Sequence, residues 1–443
     1  MTRNRTPLDP RTEARLQEIG SAEIVVGIPS YNNAGTVGHV VHAVSAGLAK
    51  YFPYRRAVLV NSDGGSSDDT ATIVARTAVD YHHLLIADQQ SVLHRIVTPY
   101  HGIPGKGSAF RTIFEIARRL QATACAVVDA DVRSISPEWI ELLLRPVLEQ
   151  GYDYTAPFYL RHKYDGTITN SLAYPLTRAL YGKRIRQPIG GEFGFSGALA
   201  AHYLDQHVWE SEVARFGIDI WMTTEAIANG ARVCQSFLGA KIHNQKDPAA
   251  DLSTMLREVV GSLFASMERH TRLWSDIEGS EPVPVFGFPF EVGVEPVRVN
   301  LERMVASFHQ GLADLGSVWR YLLSAETMRT LYNLNRGEGA AVHIPDELWV
   351  RIVYDAAAAY HHQVLPREHL LKSLTPLYLG RTASFVLTTQ GLTSTEAEQT
   401  IDHLCRAFEE QKPYLLERWN QQLLQPAHQF RVQTIPDAGG DHE

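Results

Sequence analysis

Two carboxylates one residue apart, Asp129 and Asp131, follow a short apolar run that begins at Cys125. The run has the length and composition of a buried strand, so we expect the acids where that strand leaves its sheet. Residues i and i+2 of an extended chain point the same way and can reach one cation together. Carboxylate oxygens suit Mg²⁺ or Mn²⁺, which neutralise a diphosphate. A strand followed by an Asp-rich, helix-capping turn is the alternative.

Two loops nearer the N-terminus have residue types that could hold a nucleotide. Pro29, Tyr31 and Asn33 form a turn in which a base could stack on the tyrosine and bond to nearby amides. Asp63, which precedes two glycines, could hold the edge of a base or ribose. The alternatives are an ordinary strand-to-helix turn and, for Asp63, a turn-forming role that its own pattern favours.

A third loop places glycines and a lysine at a predicted helix start, in the segment Pro104–Gly107. It lacks the spacing of a Walker A loop. Glycines such as Gly105 at a helix start expose backbone N–H groups to an anion, and Lys106 could meet a phosphate there. A solvated surface lysine is the alternative.

The elements that must position these loops alternate along the chain. Strands are predicted at 23–28, 57–61, 94–98 and 125–131, with helices between them. This alternation indicates βαβ units and a mainly parallel α/β sheet, in which strand ends meet along one edge. The polar loops should therefore converge, and their convergence is a stronger signal than any one of them.

Composition limits the classes of function. The chain has 443 residues, 44% of them hydrophobic, and its net charge of −8 predicts no general attraction to nucleic acid or anionic membranes. Its three cysteines are far apart, which argues against a zinc ribbon or a disulfide framework. Since neither a signal peptide nor a membrane span is predicted, we expect a cytoplasmic protein.

The order of these motifs resembles the nucleotide-diphosphate-sugar domain of GT-A glycosyltransferases. Over about residues 20–265 the chain is similar to family-81, family-2-like retaining enzymes, the glucosyl-3-phosphoglycerate synthases and glucosylglycerate synthases. The motifs that carry the resemblance are I-P-S-Y-N-N at 28–33, N-S-D-G-G-S-S-D-D-T at 61–70, P-G-K-G at 104–107, V-D-A-D at 128–131, P-I-G-G-E at 188–192, F-G-I-D at 216–219 and L-G-A-K-I-H at 238–243. The implied fold is a GT-A (Rossmann-like) domain with a mainly parallel sheet.

The resemblance also implies roles for individual residues. His243 would join Asp131 and Asp129 as a ligand of Mg²⁺ or Mn²⁺. The implied catalytic set is Asp219, which would position the sugar or acceptor, Glu192, which would bond sugar hydroxyls, and Lys106, which would contact the leaving group. The implied nucleotide-binding set is Pro29, Tyr31, Asn33, Asp63, Gly105, Lys106, Asp129 and Ala130. A helix-start acid and a loop-satisfying carboxylate are the alternatives for Asp219 and Glu192.

One departure bears on the acceptor. The phosphoglycerate enzymes carry G-R-V-T where this chain has G-T-I-T at 166–169. The loss of a guanidinium removes a bidentate phosphate partner, so we expect unphosphorylated D-glycerate. Arg161 and Lys163 lie close upstream and keep 3-phosphoglycerate as the alternative. The implied acceptor-binding set is Gly166, Thr167, Thr169, Asn170 and Arg161.

The implied reaction is metal-dependent, retaining transfer of a hexose, expected to be glucose, to the 2-hydroxyl of D-glycerate. The donor would be GDP-, UDP- or ADP-glucose and the product glucosylglycerate, a compatible solute. The alternatives are a glucosyl-3-phosphoglycerate synthase, a mannosyl equivalent, an inverting polysaccharide transferase and a non-catalytic sugar-nucleotide sensor.

Domain boundaries follow from the change in pattern along the chain. We expect an N-terminal arm at 1–20, a GT-A domain at 21–280 with a nucleotide-binding half at 21–150 and an acceptor half at 151–280, a linker at 281–289, a mostly helical extension at 290–428 and a polar tail at 431–443. Apolar residues spaced by three and four predict the helices of the extension. A homodimer is expected.

Overall fold

The computed structural model describes residues 7–77, 93–100, 102–243, 252–289, 293–294, 296–335 and 342–421. In this part of the chain the strands are β1 (Ile24–Ser30), β2 (Ala57–Asp63), β3 (Leu93–Pro99), β4 (Ala124–Val127), β5 (Tyr154–Leu160), β6 (Lys183–Arg184), β7 (Phe193–Ser196), β8 (Val233–Ala240), β9 (Glu281–Pro282) and β10 (Val285–Phe286).

Eight of these strands form one sheet in the order β10-β8-β5-β7-β4-β1-β2-β3, and β6 pairs with β9. Strand β7 runs antiparallel to β4 and β5, whereas the other pairs in the large sheet are parallel. The carboxyl ends of β1, β2 and β4 therefore meet at one edge, where ligands bind in open α/β sheets. The predicted GT-A-type fold with a mainly parallel sheet is confirmed.

Strand β1 lies inside the sheet, between β4 and β2, and both of its faces are buried. Val25 packs in one apolar layer with Phe114, and Val26 packs in the opposite layer with Val40. This follows from the alternation of side chains along a strand that is covered on both faces. A Cβ on Gly27 would lie 2.6 Å from the side chain of Ile113, so the glycine lets a helix pack directly on the strand.

Helices cover both faces of the sheet. Their bounds are α1 (Pro10–Ile19), α2 (Val37–Tyr51), α3 (Thr70–Arg76), α4 (Lys106–Arg119), α5 (Pro137–Glu149), α6 (Tyr174–Tyr181), α7 (Gly197–Leu204), α8 (Ile218–Ala228), α9 (Ser253–Arg269) and α10 (Thr271–Ser275), with a π-helical turn at Thr169–Ala173 and a 3₁₀ turn at Glu212–Ala214. No helix among the described residues has both the length and the apolar character needed to cross a bilayer.

The C-terminal part of the chain is helical, as predicted. It contains α11 (Leu301–Asp314), α12 (Gly316–Leu322), α13 (Ala325–Leu334), α14 (Asp346–His361), α15 (Arg367–Ser373), α16 (Thr375–Thr389), α17 (Ser394–Glu410) and α18 (Lys412–Asn420). We call these eight helices the helical extension. One continuous apolar cluster joins Trp349 and Leu377 of the extension to Leu172 and Phe264.

The predicted linker at 281–289 differs from its expectation, because part of it joins the large sheet. Val285 and Phe286 pair with Gln235 and Ser236 and make β10 the edge strand. The prolines that indicated a linker are tolerated beside an edge strand, where a missing N–H costs little.

Candidate functional site

A cavity of about 880 Å³ opens at the carboxyl edge of the sheet. It is lined by loops that follow β1, β4 and β8, by the starts of α4 and α8, and by Arg161 and residues 164–169. We call residues 161–171 the acceptor loop. The predicted residues that line it are Pro29, Tyr31, Asn33, Gly105, Lys106, Asp129, Ala130, Asp131, Arg161, Gly166, Thr167, Thr169, Asp219 and His243. The predicted residues outside the lining are Asp63, Asn170 and Glu192.

A row of side chains with alternating charge runs through the site. Lys106 Nζ lies 2.7 Å from Asp129 Oδ1 and 3.0 Å from Asp219 Oδ2. Lys241 Nζ lies 3.1 Å from Asp129 Oδ2 and 2.9 Å from Glu192 Oε1. The row therefore reads Asp219, Lys106, Asp129, Lys241, Glu192. Three carboxylates and two ammonium groups leave one net negative charge when all five are ionised.

The position of Asp129 comes from a turn rather than from an extended strand. Strand β4 ends at Val127, so Asp129 and Asp131 lie beyond it and the expected same-side geometry does not hold them together. Asp129 instead sits against Gly191, whose φ of +94° favours glycine. A Cβ there would lie 2.2 Å from Asp129 Oδ2, so the P-x-G-G-E loop can pack this closely only with glycine at this position.

The glycines at the start of α4 have a different role from the one predicted. The N–H of Gly105 donates to the Tyr100 hydroxyl and that of Gly107 to the Arg215 carbonyl, so neither is left for an anion. A Cβ on Gly107 would lie 1.8 Å from the Val213 carbonyl oxygen. The glycines therefore serve close backbone packing, which brings Lys106 next to Asp219.

The lysines determine the protonation of Asp129. Burial alone would raise the pKa of Asp129, but Lys106 and Lys241 outweigh burial and hold that pKa well below its usual value. Burial lowers the pKa of Lys106, and Asp129 and Asp219 outweigh burial in turn and raise it. Asp129 is therefore a carboxylate and Lys106 an ammonium group at neutral pH.

For the two outer acids burial outweighs the lysines, so the net shift of their pKa values is opposite to that of Asp129. Burial raises the pKa of Glu192 to about 7, against the attraction of Lys241, while the Asp129 charge adds to the rise. Glu192 also accepts a hydrogen bond from the Tyr159 hydroxyl. Burial raises the pKa of Asp219 as well. Its Oδ1 atom is buried and has no hydrogen-bond partner among the described residues.

The predicted metal ligands line the cavity but do not form a three-residue cluster. The described residues hold no group of three or more His, Cys, Asp or Glu side chains placed to bind a metal ion. Asp129 is engaged by two lysines, and His243 Nε2 lies 3.8 Å from Asp165 Oδ2. Asp131 and His243 line the same cavity, and a carboxylate oxygen with an imidazole nitrogen is a pair of ligand types that suits Mn²⁺ better than Mg²⁺.

Asp63 was predicted to contact the nucleotide, but its carboxylate is engaged by neighbouring protein groups. Its Oδ2 atom accepts the N–H groups of Gly65 and Ser66, and its Oδ1 atom accepts the hydroxyls of Ser30 and Ser66. This is the turn-forming role that its own pattern favoured. Because both oxygens are used by the turn and by Ser30 of β1, Asp63 shapes the loop beside Tyr31 rather than lining the cavity.

Asn170, a predicted acceptor-binding residue, and Lys163, which kept 3-phosphoglycerate as the alternative acceptor, are both engaged in other contacts. The Oδ1 atom of Asn170 accepts from Arg186 Nη2 at 2.8 Å, and Asn170 lies outside the cavity lining. Lys163 Nζ donates to three backbone carbonyls of the helical extension. Arg161 does line the cavity, and its Nε atom has no hydrogen-bond partner in the part of the chain that the structure describes.

Lys241 is the residue that sequence reasoning missed. It joins Asp129, Glu192 and the Gly190 carbonyl, which accepts from its Nζ at 2.7 Å. Lys241 directly follows β8, two residues before His243. A basic residue inside the L-G-A-K-I-H motif, between L-G and His, was a usable signal.

Comparison with known protein families identifies the family of this chain. The model of the mannosylglycerate synthase glycosyltransferase domain matches residues 40–267, slightly more than half of the chain. The chain belongs to this family. The predicted resemblance is confirmed, and the protein is a glycosyltransferase. No curated protein gives a significant match.

Solved structures with similar folds include glucosyl-3-phosphoglycerate synthase from Mycobacterium tuberculosis. Its complex with Mn²⁺, uridine diphosphate and glucosyl-3-phosphoglycerate is 21% identical with a TM-score of 0.42, and the similarity covers 59% of this chain and 88% of that one. Its complex with phosphoglyceric acid is 20% identical with a TM-score of 0.43, covering 57% and 83%.

Proposed function

We propose that the enzyme transfers a hexose, glucose in our first choice, from a nucleotide diphosphate sugar to the 2-hydroxyl of D-glycerate with retention of configuration. The observation that carries the proposal is the row of alternating charges beside Asp131 and His243 in one cavity. A volume of about 880 Å³ lies within the range of about 300–1,000 Å³ that ligand sites occupy.

On the donor side, Tyr31 offers an exposed ring for a base, with Asn33 beside it in the cavity lining. Asp131 and His243 would hold Mg²⁺ or Mn²⁺, and a bound divalent cation neutralises charge on a diphosphate. Lys106 and Lys241 keep positive charge next to the same space while they pair with Asp129. Incoming phosphates would compete with Asp129 for these ammonium groups.

Near the transferred sugar, Asp219 and Glu192 differ in what they offer. Asp219 lines the cavity and has one unpartnered oxygen, which suits a hydrogen bond to a sugar or acceptor hydroxyl. Its other oxygen is held by Lys106. Glu192 is fully buried behind Lys241, so we assign it to holding that lysine rather than to direct contact with sugar hydroxyls.

The acceptor preference follows from the cations of the acceptor loop. Lys163 is committed to backbone carbonyls, whereas Arg161 lines the cavity with an unpartnered Nε. Its nearest carboxylate oxygen, on Asp165, is 3.8 Å away. One guanidinium suits the single carboxylate of glycerate, while 3-phosphoglycerate would bring a second anionic group that this loop does not match.

A mannosyl transfer is the second candidate, and the matching family model favours it by its name. Glucose and mannose differ at one hydroxyl, so turnover with glucose and mannose donors distinguishes the two candidates.

We also propose a cytoplasmic homodimer. Sedimentation of the purified chain tests the dimer.

The decisive experiment is a matrix of donors and acceptors with Mg²⁺ or Mn²⁺. GDP-, UDP- and ADP-glucose and GDP-mannose are each combined with D-glycerate and 3-phosphoglycerate, and product is measured. We expect turnover with D-glycerate to exceed that with 3-phosphoglycerate. Faster turnover of 3-phosphoglycerate would establish the phosphorylated alternative, and donor binding without any product would support the sensor.

A further inference from the structure

Hydrogen bonds from Lys163 of the acceptor loop join this loop to the helical extension. Lys163 Nζ donates to the carbonyl oxygens of Thr389 at 2.7 Å, Gln390 at 3.2 Å and Leu392 at 2.7 Å. These carbonyls lie at and just beyond the end of α16, where helical carbonyls have no partner within the helix. An ammonium group is well placed there, since cations are favoured at helix C-termini.

A second contact reaches the cavity lining itself. Thr167 Oγ1 and the Tyr378 hydroxyl are 2.5 Å apart, and the two residues are 3% and 1% exposed. Thr167 lines the cavity, whereas Tyr378 of α16 lies outside the lining. Burial raises the pKa of Tyr378 to about 12, so its hydroxyl stays protonated at neutral pH. The pair has fixed geometry because neither side chain has room to turn towards water.

The end of the loop is held by the same extension. Trp349 Nε1 donates to the Ser171 carbonyl at 2.8 Å. Arg186 joins Asn170 at 2.8 Å to Glu398 of α17, with the two Glu398 oxygens at 2.7 and 3.0 Å. Residues of the loop from 163 to 171 are thus tied to α14, α16 and α17.

We propose that Tyr378 is a positioning residue for the acceptor, which it serves by fixing the Thr167 hydroxyl at the cavity wall. The proposal rests on the proposed function for the identity of the acceptor. It assigns the helical extension a part in acceptor binding. The donor side contains no counterpart among the contacts that the structure describes, so the effect should be confined to the acceptor.

The test compares two tyrosines of the extension that lose the same group. Tyr378→Phe removes the hydroxyl that meets Thr167. Tyr354→Phe removes an equally buried hydroxyl that donates to the Phe408 carbonyl at 2.6 Å, away from the acceptor loop. We expect the KM for the acceptor to rise about threefold to tenfold in Tyr378→Phe only, as loss of one buried hydrogen bond implies. The KM for the donor should not change.

A double-mutant cycle separates positioning from a general loss of stability. If Tyr378 acts through Thr167, adding Tyr378→Phe to Thr167→Val should change the acceptor KM little, whereas Thr167→Ser should retain most of the wild-type value. Equal acceptor KM values in Tyr378→Phe and Tyr354→Phe would overturn the proposal. So would independent, multiplying effects in the double variant.

Amide hydrogen exchange tests the positioning role of Tyr378 independently of the acceptor that the enzyme uses. Amides of residues 163–171 should exchange faster in Tyr378→Phe and in Lys163→Met than in Tyr354→Phe, whatever the acceptor is. If no glycerate-type acceptor is turned over but this exchange pattern is found, the proposed function fails and the positioning role stands. Unchanged exchange in both variants would overturn the positioning role even in an active enzyme.

Discussion

The loops after β1 and β4 are positioned by the sheet itself, whereas the acceptor loop is positioned by helices that lie 178 or more residues later in the chain. On the donor side, parallel neighbours bring polar strand ends to one edge, and opposite charges then order them. On the acceptor side, buried hydrogen bonds from the helical extension do the ordering. Donor and acceptor sides should therefore respond to different mutations.

The largest effect is expected on the donor side. Asp131→Ala removes the carboxylate that we assign to the cation and should abolish turnover. The fold should stay intact, because Asp131 makes no described salt bridge, unlike Asp129. Activity with Mg²⁺ and Mn²⁺ and the thermal unfolding midpoint are measured on the same preparation. An active Asp131→Ala enzyme would contradict the metal assignment.

Lys241→Met tests whether charge pairing orders the donor side. It leaves Asp129 and Glu192 without the cation between them, and losing one partner of a buried ion pair costs about 3–5 kcal/mol. Lys163→Met is the matched control, since that lysine bonds to carbonyl oxygens. Urea unfolding should show the larger loss for Lys241→Met. Equal losses would mean that the charge row contributes little to stability.

The residues on the donor side could be predicted from the sequence because each is marked by its immediate neighbours in the chain. Asp129, Asp131 and Lys106 each follow a short apolar run, and a parallel sheet brings such positions together without further information. Where the prediction was wrong, a local competitor decided the outcome. Asp63 accepts the N–H groups of its own turn. The N–H of Gly105 donates to the Tyr100 hydroxyl and that of Gly107 to the Arg215 carbonyl, rather than to an anion.

The position of the acceptor loop in the sequence could be predicted, but the contacts that fix its conformation could not. The spacing of Leu301, Met304 and Phe308 predicts a helix, yet no periodicity states which helix will meet which loop. The partners of Thr167 and Lys163 lie on α16 and just beyond it, and such long-range pairs leave no pattern in one sequence. The contacts of Lys163 and Asn170 could therefore not be predicted from the sequence.

Glu192→Gln tests how the buried carboxyl group of Glu192 makes the stability of the protein depend on pH. The folded-state pKa of Glu192 is raised to about 7 from an ordinary 4.5, so the native state keeps a proton that the unfolded state loses between these values. Stability of the wild type should therefore fall, relative to Glu192→Gln, as pH rises from about 4.5 to 7, by about 3 kcal/mol. Unfolding free energies of both proteins at several pH values measure this. Parallel curves would show that Glu192 ionises normally.

The smallest effect is expected from a glycine at the start of α4. Gly107→Ala would put a Cβ 1.8 Å from the Val213 carbonyl oxygen, so the turn at Glu212–Ala214 must shift, at a cost of about 1–3 kcal/mol. Gly35→Ala is the control, because its Cβ would meet nothing within 4 Å. If Gly107 only exposed N–H groups to an anion, both variants would unfold at the same urea concentration. A lower midpoint for Gly107→Ala alone would identify close backbone packing as what brings Lys106 to Asp219.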